Sequence, residues 1–357
     1  MKNNSAIITF AGDLCLEDLD QESYIIQPEI ADLFARSDLN VVNLESPLTH
    51  SEEKMPGRVF NFKGRPVPGK VFNHFDVFSL ANNHILDYSS AGLLDTMDFI
   101  VSRQKSFFGA GQDIDRATRP LTLQIGDVRL AFIGCTRWDN AGKKKPGTAP
   151  MQIGWISRTI SALKEQGCFV VIFPHWNYEY VDYPSPAERR FGHRLIRAGA
   201  DLIVGSHPHQ IQGWEKYRDK YIFHSLGNFI FNQFDLSRPE FARTFLLSIT
   251  INADHSSSFT IHPVYGTQQG LFLLSGDALK EFEHKLKELT DNLKTPSLYK
   301  KLFYKEAGML ADYSMDNLVK ISGNKSLILT VIKRLHKIRT QDILIKLHSL
   351  MQNTSRH

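Results

Sequence analysis

Two histidines separated by a single proline, His207 and His209, follow a short apolar run that ends in a glycine. The apolar residues 202–204 predict a buried strand, and Gly205 predicts its end. Because ligands bind at the carboxyl ends of strands in α/β sheets, we expect both imidazoles at such an edge. Pro208 restricts the backbone between them, so the two rings could bind one metal ion or two adjacent ones. Taken alone, the same spacing is also compatible with ordinary polar loop residues.

Further apolar runs along the chain end in residues that carry metal-ligand atoms. These residues are Asp13, Glu45, Asn83 with His84, and His175. Carboxylate, amide and imidazole groups in combination suit Mn, Fe or Zn better than a thiolate site would. A carboxylate can bridge two ions, and two such ions can hold both oxygens of a phosphoryl displacement. The sequence therefore predicts one or two divalent metal ions at the strand ends.

The positions of these residues are set by strands, which alternate with helices along most of the chain. Hydrophobic periodicity predicts strands over 6–11, 40–45, 75–80, 169–173 and 202–204, and helices over 89–104, 153–164 and 187–198. It also predicts a hairpin of 121–125 with 128–134, and antiparallel strands near 221–230, 244–251 and 258–265. This order of elements is typical of an α/β fold.

The character of the chain changes at about residue 277, where strand patterns stop and helical ones continue. We therefore expect an α/β domain over residues 1–276 and a helical, basic C-terminal extension over residues 277–357. One predicted helical face is apolar and consists of Leu327, Val331, Leu335 and Ile338. The basic residues beside it are Lys333, Arg334, Lys337 and Arg339. A basic amphipathic helix indicates peripheral contact with an anionic membrane surface. An apolar face that packs on the protein itself is the alternative.

Composition limits the function classes. The 357 residues are 42% hydrophobic and 22% charged, as in ordinary globular proteins. A net charge of +4, without a basic patch interleaved with aromatic residues, predicts no nucleic-acid partner. Three scattered cysteines argue against a disulfide framework. Because neither a signal peptide nor a run of about 18 apolar residues is evident, we expect a cytoplasmic protein.

Five short motifs together resemble the bacterial capsule-synthesis CapA family, over roughly residues 6–232. The motifs are Asn43-Leu-Glu-Ser-Pro-Leu48, Leu80-Ala-Asn-Asn-His84 with Asp87-Tyr88, His175-Trp176 with Glu179-Tyr180, Gly205-Ser-His-Pro-His209, and Ser225-Leu-Gly-Asn-Phe229. The resemblance links the chain to poly-γ-glutamate capsule synthesis. It also implies a fold similar to calcineurin-like metallophosphoesterases, a four-layer αββα sandwich with a two-metal site, in residues 1–276.

The resemblance implies a role for each residue at the strand ends. Asp13 and His209 would bind the first ion, and Glu45 would bridge the two ions. The second ion would be bound by Asn83, His175 and His207. His84 would face the substrate as an acid or a charge stabiliser.

Candidate substrate-binding residues are Asp87, Glu179 and Asn228. Asp87 could instead orient His84, or cap a helix that begins near Ser89.

The chain departs from the calcineurin-like pattern on the first strand. Cys15 stands where those enzymes have the histidine of Asp-x-His. A thiolate there would favour zinc, whereas a small buried side chain would leave the first ion site weak or empty. The family's His-Trp-Gly is also changed, because Asn177 follows Trp176.

Two functions therefore stay open. The first is a metal-dependent hydrolase that acts on a phosphoester or on a γ-glutamyl-type polymer bond in capsule or extracellular polymer biosynthesis. The alternative is a non-catalytic capsule-assembly factor with a degenerate metal site. The expected partners are an anionic polymer or phosphoester substrate and other capsule-synthesis proteins.

Overall fold

The computed structural model describes residues 5–58, 60–231, 241–267 and 269–322, with residues 310–322 by backbone alone. The strands are β1 Ser5–Leu14, β2 Ile25–Ile26, β3 Leu39–Leu44, β4 Val77–Ser79, β5 Ser106–Phe108, β6 Ala110–Gly111, β7 Leu121–Ile125, β8 Val128–Thr136, β9 Gly147–Thr148, β10 Phe169–His175, β11 Leu202–Val204, β12 Trp214–Tyr217, β13 Lys220–Phe223, β14 Asn228–Ile230, β15 Arg243–Asn252, β16 Ser257–Gly266 and β17 Gly270–Leu273. The helices are α1 Pro28–Arg36, α2 Lys70–Asn73, α3 Ser89–Ser102, α4 Ile114–Ala117, α5 Ile153–Glu165, α6 Pro186–Arg197, α7 Gly276–Leu293 and α8 Pro296–Ser322.

Two large sheets form the centre of the described chain. The larger has the order β2-β17-β16-β15-β1-β3-β4-β5, with β14 also paired to β1. The smaller has the order β12-β13-β11-β10-β8-β7. Strands β1, β3, β4 and β5 are parallel, as are β8, β10, β11 and β13. Parallel strands of each sheet therefore end at the same edge, which is where ligands bind in such sheets.

Side chains point alternately to the two faces of each sheet, and the apolar ones form three clusters. In β10, Val171 and Phe173 face the larger sheet, in a cluster that also holds Phe10. The intervening Val170 and Ile172 belong to a second cluster, with side chains of α5 and α6. A third cluster joins the outer face of the larger sheet to α1 and α3. Because successive side chains of a strand point to opposite faces, these clusters make the four layers of an αββα sandwich.

The four-layer architecture predicted from the sequence is thus confirmed, as are the hairpin β7–β8 and helices α3, α5 and α6. One expectation is partly wrong. The run near 221–230 forms two strands in different sheets, and β14 pairs with β1 in parallel rather than antiparallel fashion. Gly227, at φ 82°, lies in the break between these strands, where it adopts a left-handed conformation that suits glycine.

The C-terminal helices described here pack on the sandwich. Phe282, Leu286 and Leu289 of α7 and Phe303 of α8 join the cluster between the two sheets. The predicted basic helical face around residues 327–339 lies outside the described residues. None of the described helices is both long enough and apolar enough to cross a lipid bilayer.

Candidate metal centre

The seven residues predicted at strand ends meet at one edge of the sandwich. Asp13 lies within β1, close to its end, and Glu45 follows β3. Asn83 and His84 follow β4 in the same sheet. From the smaller sheet, His175 is the last residue of β10, and His207 and His209 follow β11. The centre therefore receives side chains from both sheets.

Ligand atoms of Asn83, Glu45, His175 and His207 converge around one point, and we call these residues the second-ion group. His175 Nε2 lies 2.7 Å from Asn83 Oδ1, 3.0 Å from His207 Nδ1 and 3.7 Å from Glu45 Oε1. Metal–nitrogen bonds are about 2.0–2.1 Å long, so atoms separated by about 3–4 Å can bind the same ion. His175 and His207, which the resemblance implies as ligands of one ion, are thus close enough to share it.

Asp13, Glu45 and His209 make a neighbouring set, the first-ion group. His209 Nδ1 lies 3.9 Å from Asp13 Oδ2, and His209 Nε2 lies 3.9 Å from Glu45 Oε1. Candidate ligand atoms of the three residues all lie within 4.8 Å of one another. Because Glu45 belongs to both groups, its carboxylate occupies the place that a bridging ligand would take.

The electrostatics of the centre fit a divalent cation. Burial raises the pKa of Asp13 to about 7 and the pKa of Glu45 well above its usual range. Burial also lowers the pKa of His175 well below its usual range and that of His209 to about 3, so both imidazoles are neutral. Glu45 Oε1 is buried without a hydrogen-bond partner. Such an atom is costly to bury, and a cation bound by neutral imidazoles and carboxylates would compensate it.

An unusual backbone conformation orients His207 and His209. His207 has φ 100° and His209 has φ 62°, in the left-handed region that costs of the order of 1–3 kcal/mol for such residues. The loop is held because His207 N donates a hydrogen bond to Asp13 Oδ2 at 3.1 Å. A Cβ at Gly205 would lie 2.2 Å from the His224 carbonyl oxygen, so only glycine fits there.

Cys15 is fully buried, and burial raises the pKa of its thiol above the usual range. None of the ligand groups found among the described residues includes it. The structure therefore favours the interpretation of Cys15 as a small buried side chain. The other departure has a backbone reason: Asn177 has φ 70°, a conformation that glycine and asparagine tolerate better than most residues.

His84 is held beside the metal groups by a carboxylate. His84 Nδ1 donates to Asp87 Oδ2 at 2.7 Å, and the same oxygen accepts a hydrogen bond from Phe62 N at 2.9 Å. Asp87 does not cap α3, whose N-cap is Tyr88 without a side-chain bond. The hydrogen on Nδ1 leaves the Nε2 atom of His84 as the one available to a substrate.

Several residues of the centre had not been singled out from the sequence. Asn43 Nδ2 donates to Asp13 Oδ1 at 2.8 Å, and Asn82 Nδ2 donates to Asn43 Oδ1 at 3.1 Å. Both asparagines lie inside the quoted motifs, so their positions carried a signal. Arg58, with Nε 3.3 Å from Asp87 Oδ1, and Trp138, with its ring 4.5 Å from that of His207, lie outside those motifs.

The candidate substrate-binding residues lie in different surroundings. Glu179 borders the centre, with Oε1 3.9 Å from His207 Nε2 and 22% of its side chain exposed. Asn228 is buried: its Oδ1 lies 2.9 Å from His209 Nδ1, and its Nδ2 donates to the Phe241 carbonyl oxygen. Asn228 is thus placed to orient the ring of His209.

Comparison with known proteins relates the chain to capsule-synthesis proteins. It is 32% identical over 209 residues to "PGA biosynthesis protein CapA" of Bacillus subtilis, covering 56% of this chain and 55% of that protein. It is 35% identical over 167 residues to "Capsule biosynthesis protein CapA" of Bacillus anthracis, covering 44% and 41%. The chain thus spans about half the length of these curated relatives.

Among solved structures, a phosphatase from Mycoplasma pneumoniae aligns with a TM-score of 0.46 at 11% identity, covering 74% of this chain and 95% of that one. A likeness at this level assigns no function. The profile of the family described as "Bacterial capsule synthesis protein PGA_cap" matches residues 7–233, which include strands of both sheets and every residue of the two ion groups. The chain therefore belongs to the bacterial capsule synthesis family PGA_cap.

Proposed function

We propose that the chain is a metal-dependent hydrolase of CapA type. Its substrate is a phosphoester or a γ-glutamyl-type bond of an anionic polymer, in capsule or extracellular polymer biosynthesis. The observation that carries this proposal is the convergence of the second-ion group beside the His84–Asp87 pair. The names of the relatives support the biosynthetic setting, because they refer to capsule and PGA biosynthesis.

Two overlapping sets of residues would hold the ions. Asn83, His175, His207 and Glu45 would hold one divalent ion, and Asp13, Glu45 and His209 the other. Bound ions of this kind polarise the bond under attack and provide a nucleophile at neutral pH.

With both ring nitrogens protonated, His84 would donate the Nε2 proton to the leaving group and keep the hydrogen on Nδ1. Asp87 accepts the hydrogen bond from Nδ1 and so would hold the ring of His84 in one orientation, as a buried carboxylate does in other acid–base pairs. The ring of Phe62 packs against that of His84, with the ring centroids 4.4 Å apart.

The test combines metal content with turnover. Protein loaded with Mn²⁺ is assayed for hydrolysis of a generic aryl phosphate. A second assay measures whether it shortens the chains of poly-γ-glutamate. We expect bound metal and turnover of one of the two substrates, together with its loss in His84→Ala. Full metal content without turnover of either substrate would contradict the hydrolase.

One observation favours the alternative, a non-catalytic capsule-assembly factor with a degenerate metal site. Cys15 is buried outside the ligand groups, so the first-ion group lacks the donor that the calcineurin-like pattern has on this strand. A chain that binds no metal under the conditions above would support this alternative.

A further inference from the structure

We propose that Glu179 is a ligand of the first ion and replaces the donor that Cys15 does not provide. This inference rests on the metal centre of the proposed function. It changes the role expected for Glu179, from substrate contact to metal ligand.

The position of the Glu179 carboxylate carries the inference. Ligand atoms of Glu179, His207 and His209 all lie within 4.8 Å of one another. The same holds for Asp13, Glu45 and His209, so His209 is common to the two sets. Glu179 therefore adds a fourth protein donor, a carboxylate, at the edge of a group that otherwise contains three. A catalytic ion with three protein ligands takes water as its fourth ligand, so Glu179 would occupy a position that water otherwise fills.

The loop that carries Glu179 is fixed to the loop that carries the two histidines. Tyr180 N donates a hydrogen bond to the Pro208 carbonyl oxygen at 3.0 Å. The residue after Glu179 and the one two positions before it, Tyr180 and Asn177, have φ 59° and 70°. Asn177 also accepts a hydrogen bond from Ser185 N at 3.2 Å. Such an anchored backbone holds a side chain more precisely than a free surface loop does.

The donor type has a consequence for the metal. With Glu179 in place of a thiolate, the first-ion group consists of carboxylate oxygens and one imidazole nitrogen. Oxygen-rich sets of this kind suit Mn²⁺ or Mg²⁺, whereas thiolates select zinc or copper. We therefore expect the first ion to be Mn²⁺ rather than Zn²⁺ when both are offered.

The experiment counts ions in the full chain. Wild type, Glu179→Gln and the matched control Glu165→Gln, on the exposed side of α5, are loaded with Mn²⁺ and analysed by elemental analysis. Electron paramagnetic resonance then distinguishes a coupled ion pair from an isolated ion. We expect two ions and a coupled spectrum in wild type and control, and one isolated ion in Glu179→Gln.

A rescue variant separates ligation from a structural effect. Cys15→His in the Glu179→Gln background supplies a histidine at the calcineurin-like position, and it should restore the first ion. Circular dichroism checks that this double variant folds. If it does not, the ion count of Glu179→Gln alone tests the ligand role, provided that the melting transition of this variant without metal matches that of wild type. An ion count in Glu179→Gln equal to that of wild type would overturn the inference. A wild type without any metal would overturn the proposed function as well, so the two failures are distinguishable.

Discussion

Asp87 connects three parts of the centre through its two carboxylate oxygens. One oxygen accepts from His84 and from the Phe62 backbone, and the other faces Arg58. Arg58 also donates to the Asn83 carbonyl oxygen and to Asp139, so one guanidinium reaches loops from both sheets. The orientation of His84 therefore depends on the charge network around it.

Asp87→Asn tests this dependence. The amide keeps the size of the side chain but loses the negative charge that fixes and stabilises the His84 imidazole. We expect turnover to fall by about 100-fold or more, with metal content unchanged, as measured by steady-state kinetics and elemental analysis. Arg58→Lys serves as the control for the network, since it keeps the positive charge beside Asp87 but loses the planar guanidinium with its several hydrogen-bond donors. Unchanged turnover in Asp87→Asn would show that His84 does not act through Asp87.

Metal content should respond differently to two further single substitutions. His207→Ala removes a member of the second-ion group, so we expect the second ion, the more tightly bound of the two, to be lost. Cys15→Ala should change metal content little, because the thiol is outside the ligand groups. Elemental analysis of both variants checks this, and a metal-free Cys15→Ala protein would make Cys15 a ligand after all.

The residues with ligand atoms could be predicted because each follows an apolar run, and parallel strands bring their ends together. Arg58 could not, since it lies in a loop without periodicity and reaches the centre only through tertiary folding. Trp138 follows β8 by two residues, but its indole carries no metal-ligand atom that would have singled it out. The left-handed φ of His207 was also beyond the sequence, because only glycine and asparagine signal that conformation locally.

At the scale of elements, α7 and α8 hold the loop that follows β10. Tyr178 packs on Phe303 with ring centroids 5.7 Å apart, and Asp182 N donates to Glu306 Oε2 at 2.9 Å. Lys285 of α7 pairs with the Asp182 carboxylate. These helices therefore support the segment that carries Glu179, although the sequence had suggested only a change of character at residue 277.

Glu306 makes this support dependent on pH. Burial, and then the charge of Asp182, raise the pKa of Glu306 from 4.5 to about 7, against the lowering effect of Lys285 and Lys305. The folded state thus holds this proton more tightly than the unfolded state, so the contribution is favourable at low pH and lost as pH rises from about 4.5 to about 7.

Glu306→Gln imitates the protonated side chain, and it should remove this dependence. We expect the variant to match wild type at about pH 4 and to have the greater free energy of unfolding at about pH 8, measured by urea denaturation. Equal stability of the two proteins at both pH values would contradict a raised pKa for Glu306.

At the scale of the whole molecule, the division predicted at residue 277 stays a prediction, but the packing of α7 affects how it is tested. Because Phe282 and Phe303 are buried in the cluster between the sheets, a chain cut after residue 276 would expose apolar surface. A chain ending at residue 322 keeps every helix described here.

That shorter chain tests contact with an anionic membrane surface. Residues 323–357 contain the basic amphipathic pattern, and each basic residue near an anionic leaflet contributes roughly 1 kcal/mol. We expect full-length protein to co-sediment with anionic liposomes at low salt, and the chain ending at residue 322 to remain in solution. Equal partition of the two chains would rule out docking through the C-terminal residues.

The origin of the ligands in both sheets has a consequence for the order of events during synthesis. Asp13 leaves the ribosome long before His209, since chains grow at roughly 5–20 residues per second. The second-ion group is complete only after His207 has emerged and the smaller sheet has closed on the larger one. Capture of an ion at this group would then be a late step that follows assembly, and the ion would have to leave before the sheets could separate. A bound ion would leave the folding rate unchanged and slow unfolding, so metal supply would govern how long each folded molecule persists.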